Sequence, residues 1–160
     1  VFVLKTEKTI TQKGVDESSA RILAPGTTII SARGTVGRLA LVGQPMTMNQ
    51  SCYGLSPKNG IGAAFLYFST RKAVAELQSH AHGSVFDTIT RDTFDGLTAI
   101  KPAASIIALF ESIAWPMLES IKGNLAENIK LERTRDYLLP KLISGEIRIR
   151  DAEKFVEGLV

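Results

Sequence analysis

Residues 103–143 read AASIIALFESIAWPMLESIKGNLAENIKLERTRDYLLPKLI, and their periodicity decides the architecture. Apolar residues recur at three- and four-residue steps through Ile106, Phe110, Ile113, Met117, Ile121, Leu125 and Ile129, and the pattern resumes at Leu138 and Leu142. That spacing lays one stripe along an α-helix. A helix of this length measures about 60 Å, whereas a hundred-residue globule is about 30 Å across. Most of the stripe therefore needs cover from outside its own domain, and a second long helix packed as a coiled coil is the natural cover. The expected helix interface is Ile113, Met117, Ile121, Leu125, Leu138 and Leu142. The heptads are imperfect: the register Leu118, Ile121, Leu125, Asn128, Glu132, Arg135, Leu139, Leu142 sets three polar residues on the seam, which specifies register at some cost in stability. Pro116 argues for two shorter helices folded back, because it removes an intrahelical hydrogen bond and disfavours a helical Trp115. The reading adopted is one long helix, with room for a kink at Pro116.

Upstream the texture changes to Gly, Thr and Ser with short apolar runs. Residues 27–31 and 39–42 read as strands, the first through its β-branched residues and the second closed by Gly43 and Pro45. Residues 46–55 partly alternate, as a half-buried strand does. Residues 63–80 read as a helix with a break near Ser69-Thr70, and residues 97–100 as a short strand ended by Pro102. There is no βαβ alternation and no internal repeat. The fold class is α+β: a small mixed α/β domain over 1–102, a long coiled-coil-forming helix over 103–145, and a C-terminal tail over 146–160.

The composition is that of an ordinary globular chain: of 160 residues, 44% are hydrophobic and 22% charged. The net charge of +3 conceals an asymmetry. Residues 1–102 carry eleven Lys and Arg against seven Asp and Glu; residues 103–160 carry eight against nine. The basic excess sits mostly before residue 60, and is compatible with a polyanion partner. A single cysteine, Cys52, excludes an intrachain disulfide framework and a cysteine-based zinc cluster. No unbroken apolar run approaches the roughly 18 residues of a membrane span, and there is no secretory leader, so the expected location is the cytoplasm, without a membrane. Val1 in place of Met suggests a processed product or a fragment.

Five features could carry chemistry. Ser31-Ala32-Arg33-Gly34-Thr35-Val36-Gly37-Arg38 lies between two predicted strands. Gly34 and Gly37 permit a tight loop, and Arg33 and Arg38 could reach phosphates or a guanine edge; a plain hairpin loop with solvated arginines explains the same residues. It lacks the Lys-Ser/Thr ending of a P-loop, and a strand rather than a helix follows it. Asn49, Gln50 and Ser51 interrupt an apolar stretch. Asn and Gln suit the adenine edge, but they also bond neighbouring backbone. His80 and His82 do not share a helix face and make a poor metal pair. Asp87, Asp92 and Asp95 are better explained as turn formers than as a nuclease metal site. Cys52 sits among apolar residues and reads as packing, not as a nucleophile. No catalytic constellation and no metal site emerge.

The closing stretch Asp136-Tyr137-Leu138-Leu139-Pro140-Lys141-Leu142-Ile143-Ser144-Gly145-Glu146-Ile147 resembles the helix-ending signature of specificity subunits of type I restriction-modification enzymes. Ile30 to Gly37, Met48 to Cys52, and Gly83-Ser84-Val85-Phe86 followed by Ile89 look like the target-recognition domain of that family. The resemblance covers nearly the whole chain, and the closing signature is its most specific part. It implies a non-catalytic subunit that selects the DNA sequence. Separate methyltransferase and restriction subunits would use S-adenosylmethionine, ATP and Mg, leaving this chain without a cofactor.

Complete members usually carry two recognition domains joined by two antiparallel helices. With one domain and one helix, and without the usual opening strands, the chain looks like half of such a subunit, and a homodimer through the long helix would supply the other half. The residues expected to meet double-stranded DNA are Arg33, Thr35, Arg38, Asn49, Gln50 and Ser84, with Gly34 and Gly37 shaping the loop. Two alternatives stay open: a recognition segment of a single-chain methyltransferase or restriction-modification fusion, and a helical dimerisation adaptor that does not bind DNA.

Overall fold

A computed structural model describes residues 1–80, 88–96 and 99–157. They fall into two compact units, Val1–Lys122 and Gly123–Val160. The first begins with strand β1 (Phe2–Val3) and helix α1 (Gln12–Asp16). It continues with β2 (Thr28–Ser31), β3 (Leu39–Val42), β4 (Cys52–Leu55), α2 (Ala63–His80) and α3 (Arg91–Asp95). The strands form one mixed sheet in the order β1-β3-β2-β4. β2 runs antiparallel to both neighbours, with Ile30 opposite Leu39 on one side and Tyr53 on the other. β1 lies parallel to β3, Phe2 opposite Leu41.

Alternation along the strands sends Ile30, Leu39, Leu41 and Tyr53 to one face, where α2 packs. Ile30, Ala32, Val74 and Ile89 form one buried cluster. Leu41, Ala64, Tyr67 and Leu118 form a second, and Leu39 touches both. Leu118 belongs to α4 (Ala104–Ile143), so the start of the long helix completes the core of the first unit.

The helices follow the sequence pattern closely. α2 has the predicted bounds, without the expected break at Ser69-Thr70. The Thr70 hydroxyl donates to the Leu66 carbonyl at 2.7 Å, satisfying itself inside the helix. α4 is one helix, through Pro116 and again through Pro140, and the two-helix alternative does not occur. Pro116 removes one N–H, but Ala114, Trp115 and Leu118 on either side of it pack into the same cluster. That burial outweighs the loss of a single solvent-side bond.

The strands diverge more. β4 begins only at Cys52, because Met46 forms an isolated bridge to Leu23 and residues 49–51 turn. Of the strand expected at 97–100, residues 97–98 lie outside the described residues, and Ala99 and Ile100 are not in a strand. β1, α1 and α3 are too short to leave a periodic signal. Local caps mark both short helices: the Thr11 hydroxyl accepts the Gly14 N–H, and Thr90 and Thr93 form a reciprocal capping box.

In the second unit α4 ends at a left-handed Gly145, φ 74°, and α5 (Ile149–Glu157) follows within the segment read as a tail. The Ile147 N–H donates to the Lys141 carbonyl at 3.2 Å, and the Lys141 ammonium meets the Glu146 carboxylate at 2.8 Å. The Ser-Gly-Glu-Ile motif is thus a helix stop: only glycine takes the αL position without strain, and the residues after it occupy the last carbonyls.

Candidate nucleic-acid interface

Three chain segments meet at Ala32, just past β2. Its N–H donates to the Ser51 carbonyl at 2.7 Å, and its carbonyl accepts the Ile89 N–H at 3.0 Å. Ala32 is buried there, at 4% exposure. The β2–β3 loop, the turn before β4 and the segment entering α3 therefore crowd one end of β2. Sheet register enforces the pairing, since Ser31 lies opposite Cys52.

The β2–β3 loop is held from inside. The Ser31 hydroxyl donates to the Thr35 carbonyl and accepts the Arg38 N–H at 3.1 Å, while the Gly37 N–H donates to the Ser31 carbonyl at 2.9 Å. Gly34 and Gly37 both take positive φ, 79° and 81°. A Cβ at Gly37 would lie 2.6 Å from Gln78 Nε2 and 3.0 Å from Val74 Cγ1, so the loop rests on α2 at that point; nothing lies within 4 Å of one at Gly34. Arg33, Thr35 and Arg38 are consequently exposed on a braced loop.

Asn49 and Gln50 are exposed in the adjoining turn. Asn49 Oδ1 accepts the Ser51 N–H at 3.0 Å, so its carbonyl shapes the turn and its amide N–H₂ has no bond within the described residues. The backbone-bonding alternative weighed for this residue is therefore realised on its acceptor side. Five of the six expected contact residues share the end of β2; Ser84 lies outside the described residues.

Arg21 and Arg91 are basic neighbours that sequence reasoning missed. Arg21 arrives through the Leu23–Met46 bridge, and Arg91 opens α3 two residues after Ile89. Neither segment carries a motif, and both reach the site through long-range pairing. Among the described residues, Arg21, Arg33, Arg38 and Arg91 have no ion-pair partner.

Cys52 opens β4 beside this turn, and burial raises its thiol pKa above the ordinary value. It stays protonated near neutrality, which suits packing. No group of three metal-holding side chains occurs among the described residues.

Residues 3–104 match the family described as the Type I restriction modification DNA specificity domain. The chain belongs to that family. The match ends where α4 begins. Similarity to individual proteins runs further. The Type I restriction enzyme HindI specificity subunit of Haemophilus influenzae is 28% identical over 152 residues, covering 92% of this chain and 33% of that protein. The Type I restriction enzyme MjaIX specificity subunit of Methanocaldococcus jannaschii is 26% identical over 150 residues, covering 87% of this chain and 34% of that protein. The specificity domain and helix described here thus span about a third of the length of these relatives.

Proposed function

We propose that this chain is a DNA sequence-recognition part of a type I restriction-modification system, reading one half-site of double-stranded DNA and performing no catalysis itself. The observation that carries this reading is that two exposed polar loops meet at the end of β2, with Arg33 and Arg38 on one of them and Arg21 and Arg91 on adjoining segments, all four without an ion-pair partner among the described residues. The cations supply affinity through phosphates. Arg33, Thr35, Arg38, Asn49 and Gln50 stand where base edges would be read, with Ser84 retained as a sixth contact. Membership of the specificity-domain family supports it.

In the same proposal the long helix docks methyltransferase and restriction subunits, which bring S-adenosylmethionine, ATP and Mg. It also supports a homodimer that reads two half-sites. The exposed stripe supports this part: Ile106, Leu109, Ile113 and Met117 are each 58–64% exposed, and Ile121 is 39% exposed. Leu138 is buried in its own unit, while Leu125 and Leu142 are half-buried, so the outward part of the expected interface is Ile113, Met117 and Ile121.

By length and composition α4 could also cross a membrane. Against that, Leu118 is buried in the core of the first unit and Glu111 bonds the α2 backbone. Those commitments favour a protein-facing helix and a cytoplasmic complex.

The deciding experiment is purification with the cognate methyltransferase subunit, followed by sequencing of methylated sites. A single bipartite motif, abolished by Arg33→Ala with Arg38→Ala, is expected. Methylation without sequence preference would overturn the reading.

A further inference from the structure

The backbone pairing that brings Arg21 to the interface can be counted residue by residue. Leu23 N–H donates to the Met46 carbonyl at 2.8 Å and Met46 N–H returns to Leu23 at 3.4 Å. Counting outward along this antiparallel pair places Arg21 level with Met48, immediately before Asn49 and Gln50. Between the two segments lies a depression of about 350 Å³ lined by Ser18, Ser19, Arg21, Asn49, Gln50 and Cys52. Among the described residues, no Asp or Glu lines it. The Ser18 hydroxyl oxygen accepts the Ala20 N–H at 3.1 Å, which leaves its proton to be donated. The Asn49 carbonyl is occupied by Ser51, which leaves its amide hydrogens. The free polar capacity of the depression is therefore weighted toward donors around one guanidinium that has no carboxylate partner among the described residues.

That chemistry selects an anion with several oxygens. Reading a base edge needs donors and acceptors in a defined pattern, whereas a phosphate needs donors and positive charge. Resting on the recognition reading above, we propose that Arg21 is a DNA-backbone contact: with Ser18, Ser19 and the Asn49–Gln50 turn it clamps a phosphate flanking the bases read by the β2–β3 loop. Its role would be to fix the register of the loop on the duplex, not to choose the sequence. Arg suits this role through its planar fork of N–H donors, and Lys would keep the charge but lose the bidentate geometry.

The test measures binding of the full chain, with its cognate methyltransferase subunit, to cognate and unrelated duplexes across a salt series. Arg21→Ala is expected to weaken both duplexes about tenfold and to lower the slope of log affinity against log salt by about 0.9, the increment for one phosphate contact. Arg21→Lys should recover the slope and most of the affinity. Cys52 gives a second readout that needs no variant: saturating DNA should slow its alkylation by N-ethylmaleimide. An unchanged slope in Arg21→Ala, a loss confined to one duplex sequence, or Cys52 alkylation unaffected by bound DNA would each overturn the phosphate clamp while leaving the recognition reading intact. Wild-type protein without salt-sensitive DNA binding would overturn both.

Discussion

The Glu111 carboxylate on α4 accepts the backbone N–H of Phe65 at 2.6 Å, and its second oxygen accepts that of Ala64 at 3.3 Å. Both donors belong to the first turn of α2, whose N–H groups have no partner inside the helix. A negative charge at a helix N-terminus is also favoured by the helix dipole. α2 is thus capped by a residue 46 positions downstream, and the bond fixes the rotation of α4 about its axis more strictly than apolar contact alone would.

Removing this cap should loosen the domain without touching the β2–β3 loop or the turn before β4. Glu111→Ala is expected to lower stability by about 1–2 kcal/mol, read as a shift in the urea midpoint. Gly62→Ala should act on the same bond, because a Cβ there collides with the Glu111 side chain. The double variant should therefore lose much less than the two single losses combined. Fully additive losses would show that the two residues do not share this contact.

Thr28 offers the opposite sign. It is fully buried on β2, and its hydroxyl has no hydrogen-bond partner among the described residues. An unsatisfied buried hydroxyl costs about 1–3 kcal/mol in proteins, and valine has nearly the same shape. Thr28→Val should raise the thermal midpoint. A lower midpoint would mean that the hydroxyl is satisfied in solution.

The two loop glycines should separate packing from backbone strain. Both have positive φ, so alanine costs about 1–2 kcal/mol at either. Only at Gly37 does the new Cβ also meet Gln78 and Val74. Gly37→Ala should therefore be the more destabilising by calorimetry, and equal losses would contradict the contact between loop and α2.

What the sequence made legible follows from how far each signal reaches. The bounds of α2 and the continuous α4 follow from spacing within one element. Pro116 misleads as a breaker because its penalty is local while the burial of Trp115 and Leu118 is tertiary. The loop arginines and Asn49-Gln50 stand out as polar interruptions of apolar strands. Their neighbours do not: Arg21 joins them through one bridge, and Ile89 through one hydrogen bond to Ala32. Such pairings link residues 23 and 57 positions apart, and no periodicity encodes them.

Cys52 gives a pH-dependent check. Burial lifts its thiol pKa above the ordinary value, so the folded state holds the proton where the unfolded chain has begun to lose it. The associated stability is present below the ordinary thiol range and is lost as pH rises through it, because the unfolded chain ionises first. Iodoacetamide should modify the native protein at pH 8 more slowly than the urea-unfolded chain. Equal rates would show the thiol to be as exposed and as acidic as in a free peptide.

The α4 stripe yields the sharpest test of assembly. Ile113 and Met117 are 60% and 64% exposed and one helical turn apart, so neither contributes much to its own unit. Leu118, adjacent in sequence, is 3% exposed and belongs to the core. Ile113→Lys with Met117→Lys should leave the unfolding transition within about 0.5 kcal/mol of wild type, as for surface changes away from packed features. The pair should nevertheless abolish self-association by light scattering, or co-purification with the methyltransferase subunit, because burying an unpaired charge costs several kcal/mol. Leu118→Ala should do the reverse, losing about 2–5 kcal/mol of stability through a core cavity while keeping the outward stripe. If the charged pair unfolds the protein, the stripe serves its own domain; if it changes neither self-association nor co-purification, the stripe is not the docking surface.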